Sequence, residues 1–305
     1  MSQPLRIALA GLGTVGGGVV KLLDTNRDLI TRRAGRPIEI MAVNARDRHR
    51  DRGIDLSRFD WEDDMQALAL RDDVDVVVEL IGGADGPALT LARSTIAAGK
   101  AFVTANKAMI AHHGVGLAAE AEGKGTALKY EAAVAGGIPV IKALTEGLAG
   151  NRIRRVMGVM NGTCNYILTR MQSAGLPYAE VFEEARQLGY LEADPTLDVG
   201  GIDAGHKLSL LAAIAFGTRV SFDAVELEGI GNVSIDDIRL AEDMGYRIKL
   251  LGVAQMTGRG LEQRMTPCLV PSASPLGQLQ GGTNMVVLEG DSVGQIVLRG
   301  LPARQ

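Results

Sequence analysis

The sequence predicts an α/β chain in two parts: a parallel-sheet half, then an α+β half whose sheet is mixed or antiparallel. Three observations carry this. An apolar strand, Leu5–Ala10, runs straight into Gly11-Leu12-Gly13-Thr14-Val15-Gly16 and then into a helical pattern through Val19, Val20, Leu22 and Leu23. Strand-like and helical runs alternate through the first half, the signature of strand–helix–strand units on a parallel sheet. Toward the other end, Ile248–Gln255, Glu262–Val270, Met285–Gly290 and Gln295–Leu298 follow one another without helices between them, as strands of a mixed or antiparallel sheet do.

Composition sets the bounds. With 305 residues, 46% of them hydrophobic, the chain is long enough for two domains and a substantial buried core. A formal charge of -4 gives no electrostatic case for nucleic acid or an anionic membrane surface. Two cysteines, Cys164 and Cys268, are too few for a disulfide framework and suit a reducing compartment. No apolar run is long enough to span a bilayer, and the N-terminus lacks the basic-then-apolar form of a secretion signal. The expectation is a cytoplasmic protein with neither nucleic-acid nor membrane partners.

A G-x-G-x-x-G run alone is weak, but strand, glycine loop and helix in that order give a Rossmann-like dinucleotide site. Gly11 permits the tight turn, Gly13 lets the backbone approach a pyrophosphate, and Gly16 allows close helix–strand packing. A glycine-rich turn without a ligand is the plainer reading. The second strand, Ile38–Val43, ends in Asn44-Ala-Arg46-Asp-Arg48-His-Arg50-Asp-Arg52, where NAD-binding folds usually place an acid for the ribose hydroxyls. Arginines there suit the 2′-phosphate of NADP, with NAD possible and Arg46 nearest the strand end. They equally suit a solvated loop alternating with Asp47 and Asp51.

A third strand spans Asp75–Ile81, followed by a Gly82-Gly83 turn, a helix from Pro87 to Ala98 and a strand Ala101–Thr104. Ala105-Asn106-Lys107 then lies just past a strand end, where open α/β sheets bind ligands, so Lys107 is a candidate functional residue rather than only a surface lysine. A helix near Gly116–Glu122 and a fifth strand, Ala127–Tyr130, complete this half.

Glu131–Pro139 is small and glycine-rich and reads as the passage between domains, before a helix Val140–Leu148. Its exposed carbonyls beside Glu131 can form an oxygen-only cation site, or the stretch is a plain hinge. Strand Ile153–Val159 ends in Met160-Asn161-Gly162-Thr163, which either holds a carboxylate or phosphate or is a simple turn. Cys164 reads as a packed small residue. Helix Tyr178–Leu188 is ended by Gly189, and a charged helix spans Ser234–Met244. His206 reads as surface or packing, and His112-His113 as an isolated loop pair without metal-ligand spacing.

The densest polar segment is Glu192–Lys207, with Glu192, Asp194, Asp198, Asp203 and Lys207. Pro195, Gly200 and Gly201 make its first half a loop, and Asp203 caps or opens a helix through Leu208, Leu210, Leu211 and Ile214. Residues four apart share a helix face, so Asp203 and Lys207 point into the same space. A lysine held by a carboxylate can relay a proton to a small polar substrate. An ordinary surface pair over a solvated acidic loop is the alternative.

Ala185…Gly189-Tyr190, Asp194-Pro195…Asp198 and Gly201-Ile-Asp203…Lys207 resemble the signature of the homoserine dehydrogenase family. The Gly11–Gly16 loop, Thr104-Ala-Asn-Lys107, Glu131–Pro139 and Asn161-Gly-Thr163 resemble the family in its own order, so the likeness covers nearly the whole chain. The resemblance implies NAD(P)-dependent interconversion of L-homoserine and L-aspartate 4-semialdehyde, in threonine, methionine and isoleucine biosynthesis. It implies a nucleotide domain over residues 1–135 and a catalytic and dimerisation domain over residues 136–305, in a homodimer. Lys207 is then the acid/base, assisted by Lys107, and Asp203 holds Lys207 in place and charged. Glu192 pairs with the substrate ammonium, and Asp198 belongs to the same polar wall. Glu131 with the carbonyls of Val134, Gly136 and Ile138 resembles the family's site for a monovalent cation such as sodium. The alternatives are a catalytically silent nucleotide-binding relative and a dehydrogenase of another small amino-acid-like aldehyde.

Three departures from the family pattern stand out. Leu191 occupies a position where the family has a small residue. Gly200 replaces an acidic or amide side chain, which predicts a looser loop. Past Gln295–Gly300 the family continues with a glycine-rich turn and a helix that returns to the nucleotide domain. The expectation is that this piece and a C-terminal regulatory domain are absent, along with threonine feedback through such a domain.

Overall fold

The computed structural model describes residues 3–191 and 194–301. The chain divides into two compact units that part between Ala133 and Val134.

In the first unit, β1 (Leu5–Ala10) passes through the glycine loop into α1 (Thr14–Thr25), then α2 (Arg27–Ala34) and β2 (Ile38–Asn44). The short β3 (Asp60–Trp61) and α3 (Ala67–Leu70) precede β4 (Val76–Glu79), α4 (Pro87–Ala97), β5 (Ala101–Thr104), α5 (Lys107–Gly123) and β6 (Leu128–Lys129). The sheet order among the described residues is β3-β2-β1-β4-β5-β6, and every pair is parallel. Helical crossovers cover both faces of such a sheet. The central strands are accordingly mostly apolar, with Ala8, Leu9, Ala10, Val77 and Phe102 fully buried. The strand order reverses between β1 and β4, the switch point at which open sheets bind ligands. In register, Asn44, Ala10, Glu79 and Thr104 form one row across the ends of β2, β1, β4 and β5.

Helix α5 begins at Lys107, not near Gly116, so His112 and His113 are helical and not in a loop. Gly114 and Gly116 weaken the helical pattern in the sequence. The Asn106 side chain nevertheless caps the first turn by accepting from Met109 N, and Met109, Ile110, Leu117 and Ala121 bury one face.

The second unit opens with α6 (Val140–Lys142), which widens into a π-helical stretch, Ala143–Gly147, where one regular helix was predicted. Then come β7 (Ile153–Val159), α7 (Gly162–Ala174), α8 (Tyr178–Gln187), α9 (Pro195–Val199), α10 (Ile202–Phe216), β8 (Val225–Leu227) and α11 (Ile235–Asp243). Strands β9 (Tyr246–Thr257), β10 (Gly260–Pro271), β11 (Asn284–Gly290) and β12 (Gly294–Gly300) follow without helices between them. The order is β12-β11-β7-β9-β10-β8, antiparallel except for the parallel β10–β8 pair, so the sheet is mixed. One face buries Val159, Leu251, Val253, Val270, Leu279, Met285 and Val287 together. Helix α10 is buried along Ala204, Leu208, Leu210, Leu211 and Ala212. Its Gly205 permits close approach to the β8 region, because a Cβ there would lie 2.8 Å from the Leu227 side chain.

Within the first half of the acidic segment, Pro195–Val199 forms α9 rather than a loop. Pro195 sits at a position where its missing N–H costs nothing, and Asp194 caps the turn through Thr196 N. Nor is Gly200 loose. A Cβ there would fall 2.5 Å from the Thr196 carbonyl oxygen, and Gly229 packs on the Gly200 backbone so closely that its own Cβ would lie 2.8 Å from Gly200 Cα.

Candidate active site

The glycine-loop end of the first unit is made mainly of backbone. Gly11 has φ of 99°, and a Cβ there would lie 2.7 Å from the Leu80 carbonyl oxygen. A Cβ on Gly16 would lie 2.1 Å from the Gly11 carbonyl oxygen, so Gly16 closes the turn on itself rather than on a neighbouring strand. Gly13, by contrast, faces open space, with nothing within 4 Å of its Cβ position. It is the N-cap of α1 and offers no side-chain cap, leaving the first-turn N–H groups of a full-length helix available to a phosphate. Leu12 is buried while Thr14 and Val15 are exposed at the helix start. These residues fit a dinucleotide.

Arg46 is exposed and lines a cleft of about 320 Å³ with Asn44, Asp63, Asp64, Gln66 and Pro87. Of the other arginines in that loop, Arg48 lies over the Trp61 ring at 5.8 Å. Arg52 donates to the Leu12 carbonyl at 3.0 Å, to the Arg50 carbonyl at 2.7 Å and to the Asp47 carbonyl, tying the arginine loop to the glycine loop. Arg52 is thus committed to backbone, a role that spacing alone did not show. Lys107 is the first residue of α5, at the same strand-end edge.

In the second unit, Lys207 is held at both sides. Its Nζ lies 2.7 Å from Asp203 Oδ2 and donates to the Met160 carbonyl at 2.9 Å. Both side chains are largely buried, at 16% and 10% exposure, so the pair is not the solvated surface bridge of the alternative reading. Asp203 lies in the first turn of α10, where its charge also suits the helix dipole.

Asp198 is buried and accepts from Asn161 Nδ2 at 3.0 Å. Asn161 in turn caps α7, its Oδ1 accepting from Cys164 N at 2.8 Å. Asn161-Gly162-Thr163 is therefore a helix start rather than a simple turn. Gly162 lies under the loop at Gly282, whose carbonyl oxygen would be 2.6 Å from a Cβ, and the Thr163 hydroxyl donates to the Tyr190 carbonyl at 2.8 Å. Tyr190 stacks on Tyr166 with centroids 4.3 Å apart. Burial, reinforced by Asp198 and Asp203, pushes the Cys164 thiol up, so it is a packed and inert group. His206 packs its ring on Phe222 at 4.0 Å. Glu192 lies outside the described residues.

Glu131 is in a 3-10 turn at the end of the first unit, whereas Val134, Gly136 and Ile138 belong to the second. Ala135 and Gly136 take consecutive left-handed conformations, with φ of 57° and 59°. Among the described residues no cluster of three or more His, Cys, Asp and Glu can hold a metal ion, and no helix is long and apolar enough to cross a membrane.

Sequence reasoning passed over one buried charged residue in each unit. Glu79 is a fully buried acid ending an otherwise apolar strand. Lys249 is a buried base within the apolar run Ile248–Leu251, donating to Asn165 Oδ1 at 2.8 Å and to the Leu279 carbonyl. A lone charge inside a strand core was the available signal in each case.

An uncapped glycine-loop helix at the switch point of a parallel sheet is the arrangement of the dinucleotide-binding folds. Two family models divide the sequence between them: "Homoserine dehydrogenase, NAD binding domain" over residues 11–131 and "Homoserine dehydrogenase" over residues 139–304. The homoserine dehydrogenase of Neisseria gonorrhoeae is 46% identical over 301 residues, which are 99% of this chain and 69% of that protein. The crystal structure of a homoserine dehydrogenase from Thiobacillus denitrificans superposes with a TM-score of 0.95 at 44% identity, covering 99% of this chain and 69% of that one. A hyperthermophilic archaeal homoserine dehydrogenase in complex with NADPH shares the fold, with a TM-score of 0.80 at 22% identity over 99% of this chain and 92% of that one. The chain belongs to the homoserine dehydrogenase family and is an NAD(P)-dependent oxidoreductase.

Proposed function

We propose that the chain interconverts L-aspartate 4-semialdehyde and L-homoserine, on the route to threonine, methionine and isoleucine, with NADP preferred over NAD. The observation that carries this reading is Lys207, a largely buried ammonium fixed between Asp203 and the Met160 carbonyl. The bound nicotinamide supplies the hydride in the reducing direction. Lys207 holds at Nζ the proton that the new alkoxide takes, and Asp203 holds that Nζ in place. Lys107, at the strand-end edge of the first unit, is the second basic group assigned to the reaction. Asp198, oriented by Asn161, belongs to the substrate wall, and Glu192 is assigned to the substrate ammonium on the family resemblance.

Gly11–Gly16 are assigned to the pyrophosphate and Arg46, on the cleft beside Asn44, to the 2′-phosphate, in keeping with the NADPH-bound archaeal relative. A monovalent cation is assigned to Glu131 and the carbonyls of Val134, Gly136 and Ile138. The donors are all oxygens, as a hard cation requires, and Ile138 O, which accepts from Val140 N at 2.8 Å, keeps a lone pair free. The protein is placed in the cytoplasm as a homodimer associating through the sheet of the second unit; both cysteines are free thiols, as a reducing compartment demands.

The test is NADPH consumption with L-aspartate 4-semialdehyde, beside NADH. Lys207→Ala is expected to lower kcat by about 10²- to 10⁴-fold, the usual worth of a proton-transfer group, with NADPH affinity unchanged. Wild-type turnover in that variant removes Lys207 from the mechanism.

A further inference from the structure

Three strand ends of the first unit meet at one carboxylate. Glu79 closes β4 opposite Ala10 of β1 and Thr104 of β5, and it is fully buried. Its Oε1 accepts from the N–H groups of Ile81 at 2.6 Å and Gly82 at 2.9 Å, and its Oε2 accepts from the Thr104 hydroxyl at 2.5 Å. All three donors are neutral groups.

The bonds continue as a closed ring. Thr104 Oγ1 accepts from Asn106 N at 2.9 Å, and Asn106 Nδ2 donates to the Gly83 carbonyl at 2.7 Å, back on the turn that Glu79 holds. Asn106 Oδ1 meanwhile accepts from Met109 N at 3.1 Å, capping the helix that begins with Lys107. The Leu80 carbonyl on the same turn lies against Gly11, closing off any space for a Cβ there. One carboxylate therefore links the glycine loop, the Gly82–Gly83 turn and the turn carrying Lys107.

Core formation gives no reason for an acid here. The rest of β4 is Val76, Val77 and Val78, and a buried carboxylate has a desolvation cost that an apolar residue avoids. What an apolar residue cannot do is hold two turns at fixed hydrogen-bond positions, and a fully satisfied polar ring is rigid in that way. We infer that Glu79, acting through Thr104 and Asn106, is the positioning residue for Lys107. This rests on the assignment of Lys107 to the reaction.

The test is a double-mutant cycle on the full chain with NADPH and L-aspartate 4-semialdehyde. Thr104→Val keeps the side-chain volume and removes only the hydroxyl, and Glu79→Gln keeps an acceptor for the two amides. Thr104→Val is expected to lower kcat roughly tenfold to a hundredfold, the scale of a displaced catalytic group. NADPH affinity should stay within about twofold, and Glu79→Gln should lose less because its ring is partly kept. In a Lys107→Ala background the Thr104→Val loss should disappear, since the two changes remove one function. If Thr104→Val lowers kcat equally in both backgrounds, Glu79 and Thr104 do not act through Lys107 and the inference falls alone. If Lys107→Ala itself turns over as wild type, the catalytic assignment of Lys107 falls and takes the inference with it. Should Thr104→Val not fold, the same cycle is run with Glu79→Gln, whose smaller loss should vanish in the same way.

Discussion

The two units place their functional groups by opposite means. In the first, the candidate coenzyme site is backbone: three glycines, an uncapped helix start and carbonyls gripped by Arg52. In the second, it is side chains held by other side chains, Lys207 on Asp203 and Asp198 on Asn161. A backbone site is written in one short run of residues, in which Gly11 and Gly16 leave no room for a Cβ and Gly13 keeps the helix start open. The side-chain site is written partly on one helix, Asp203 with Lys207, and partly in residues far apart in sequence, Asp198 with Asn161 and Lys207 with Met160, joined only when the unit folds.

The sharpest way to break this comparison is to add one methyl group at different glycines of the same loop. Gly16→Ala drives a Cβ to 2.1 Å from the Gly11 carbonyl oxygen, so the turn must open. A stability loss of about 1–3 kcal/mol is expected, as for other overpacked sites, with coenzyme binding lost alongside it. Gly13→Ala meets nothing within 4 Å and should fold as wild type, yet bind NADPH more weakly because the methyl group stands where the pyrophosphate approaches. Thermal melts and NADPH titration separate the two. Equal melting temperatures would show that the loop is not a packed backbone device.

Lys249 is the corresponding probe in the second unit. Its ammonium is buried beside Asn165, which also donates to the Gly281 carbonyl, so it anchors the loop that lies over Gly162. Burial, with a smaller effect from Arg247, pulls its pKa from 10.5 down to about 8. Between those values the unfolded chain binds more protons than the folded one, so stability rises as pH rises through that window. Below about 8 the group is charged in both states and adds no slope. The gain across the window is on the order of 3 kcal/mol, and Lys249→Met should abolish it in urea titrations run at pH 8 and pH 10. A slope that persists unchanged in the variant would assign it to other groups.

These contrasts also explain what the sequence made legible. Strand β1, the glycine loop, β5 and, to within one residue at each end, α11 could be read from the sequence, because their signals are local. Helix α5 was shortened because Gly114 and Gly116 obscure its pattern, while its stability comes from the Asn106 cap and burial against the sheet. Helix α9 was missed because Pro195 and Gly200 resemble loop punctuation when they are the two ends of one turn and a half. Asp203 and Lys207 were visible as a pair four residues apart, but Met160, Glu79 and Lys249 were not assigned roles. Their partners lie 47, 25 and 84 residues away in the chain.

The smallest effect expected is at Arg46, and it tests whether the arginine loop is a coenzyme device at all. Arg52 is engaged by three carbonyls and Arg48 by the Trp61 ring, while Arg46 lines the cleft beside Asn44. An exposed cation facing a phosphate contributes modestly, so Arg46→Ala should raise KM for NADPH by about 5- to 10-fold, or roughly 1 kcal/mol. KM for NADH should hold within about twofold, since no charge is lost where only ribose hydroxyls stand. Arg52→Ala should instead raise KM for both coenzymes together, because it loosens the glycine loop that both must use. Parallel losses for NADPH and NADH in Arg46→Ala would make that residue part of the loop's scaffold and leave the coenzyme preference to be set elsewhere along the strand-end edge.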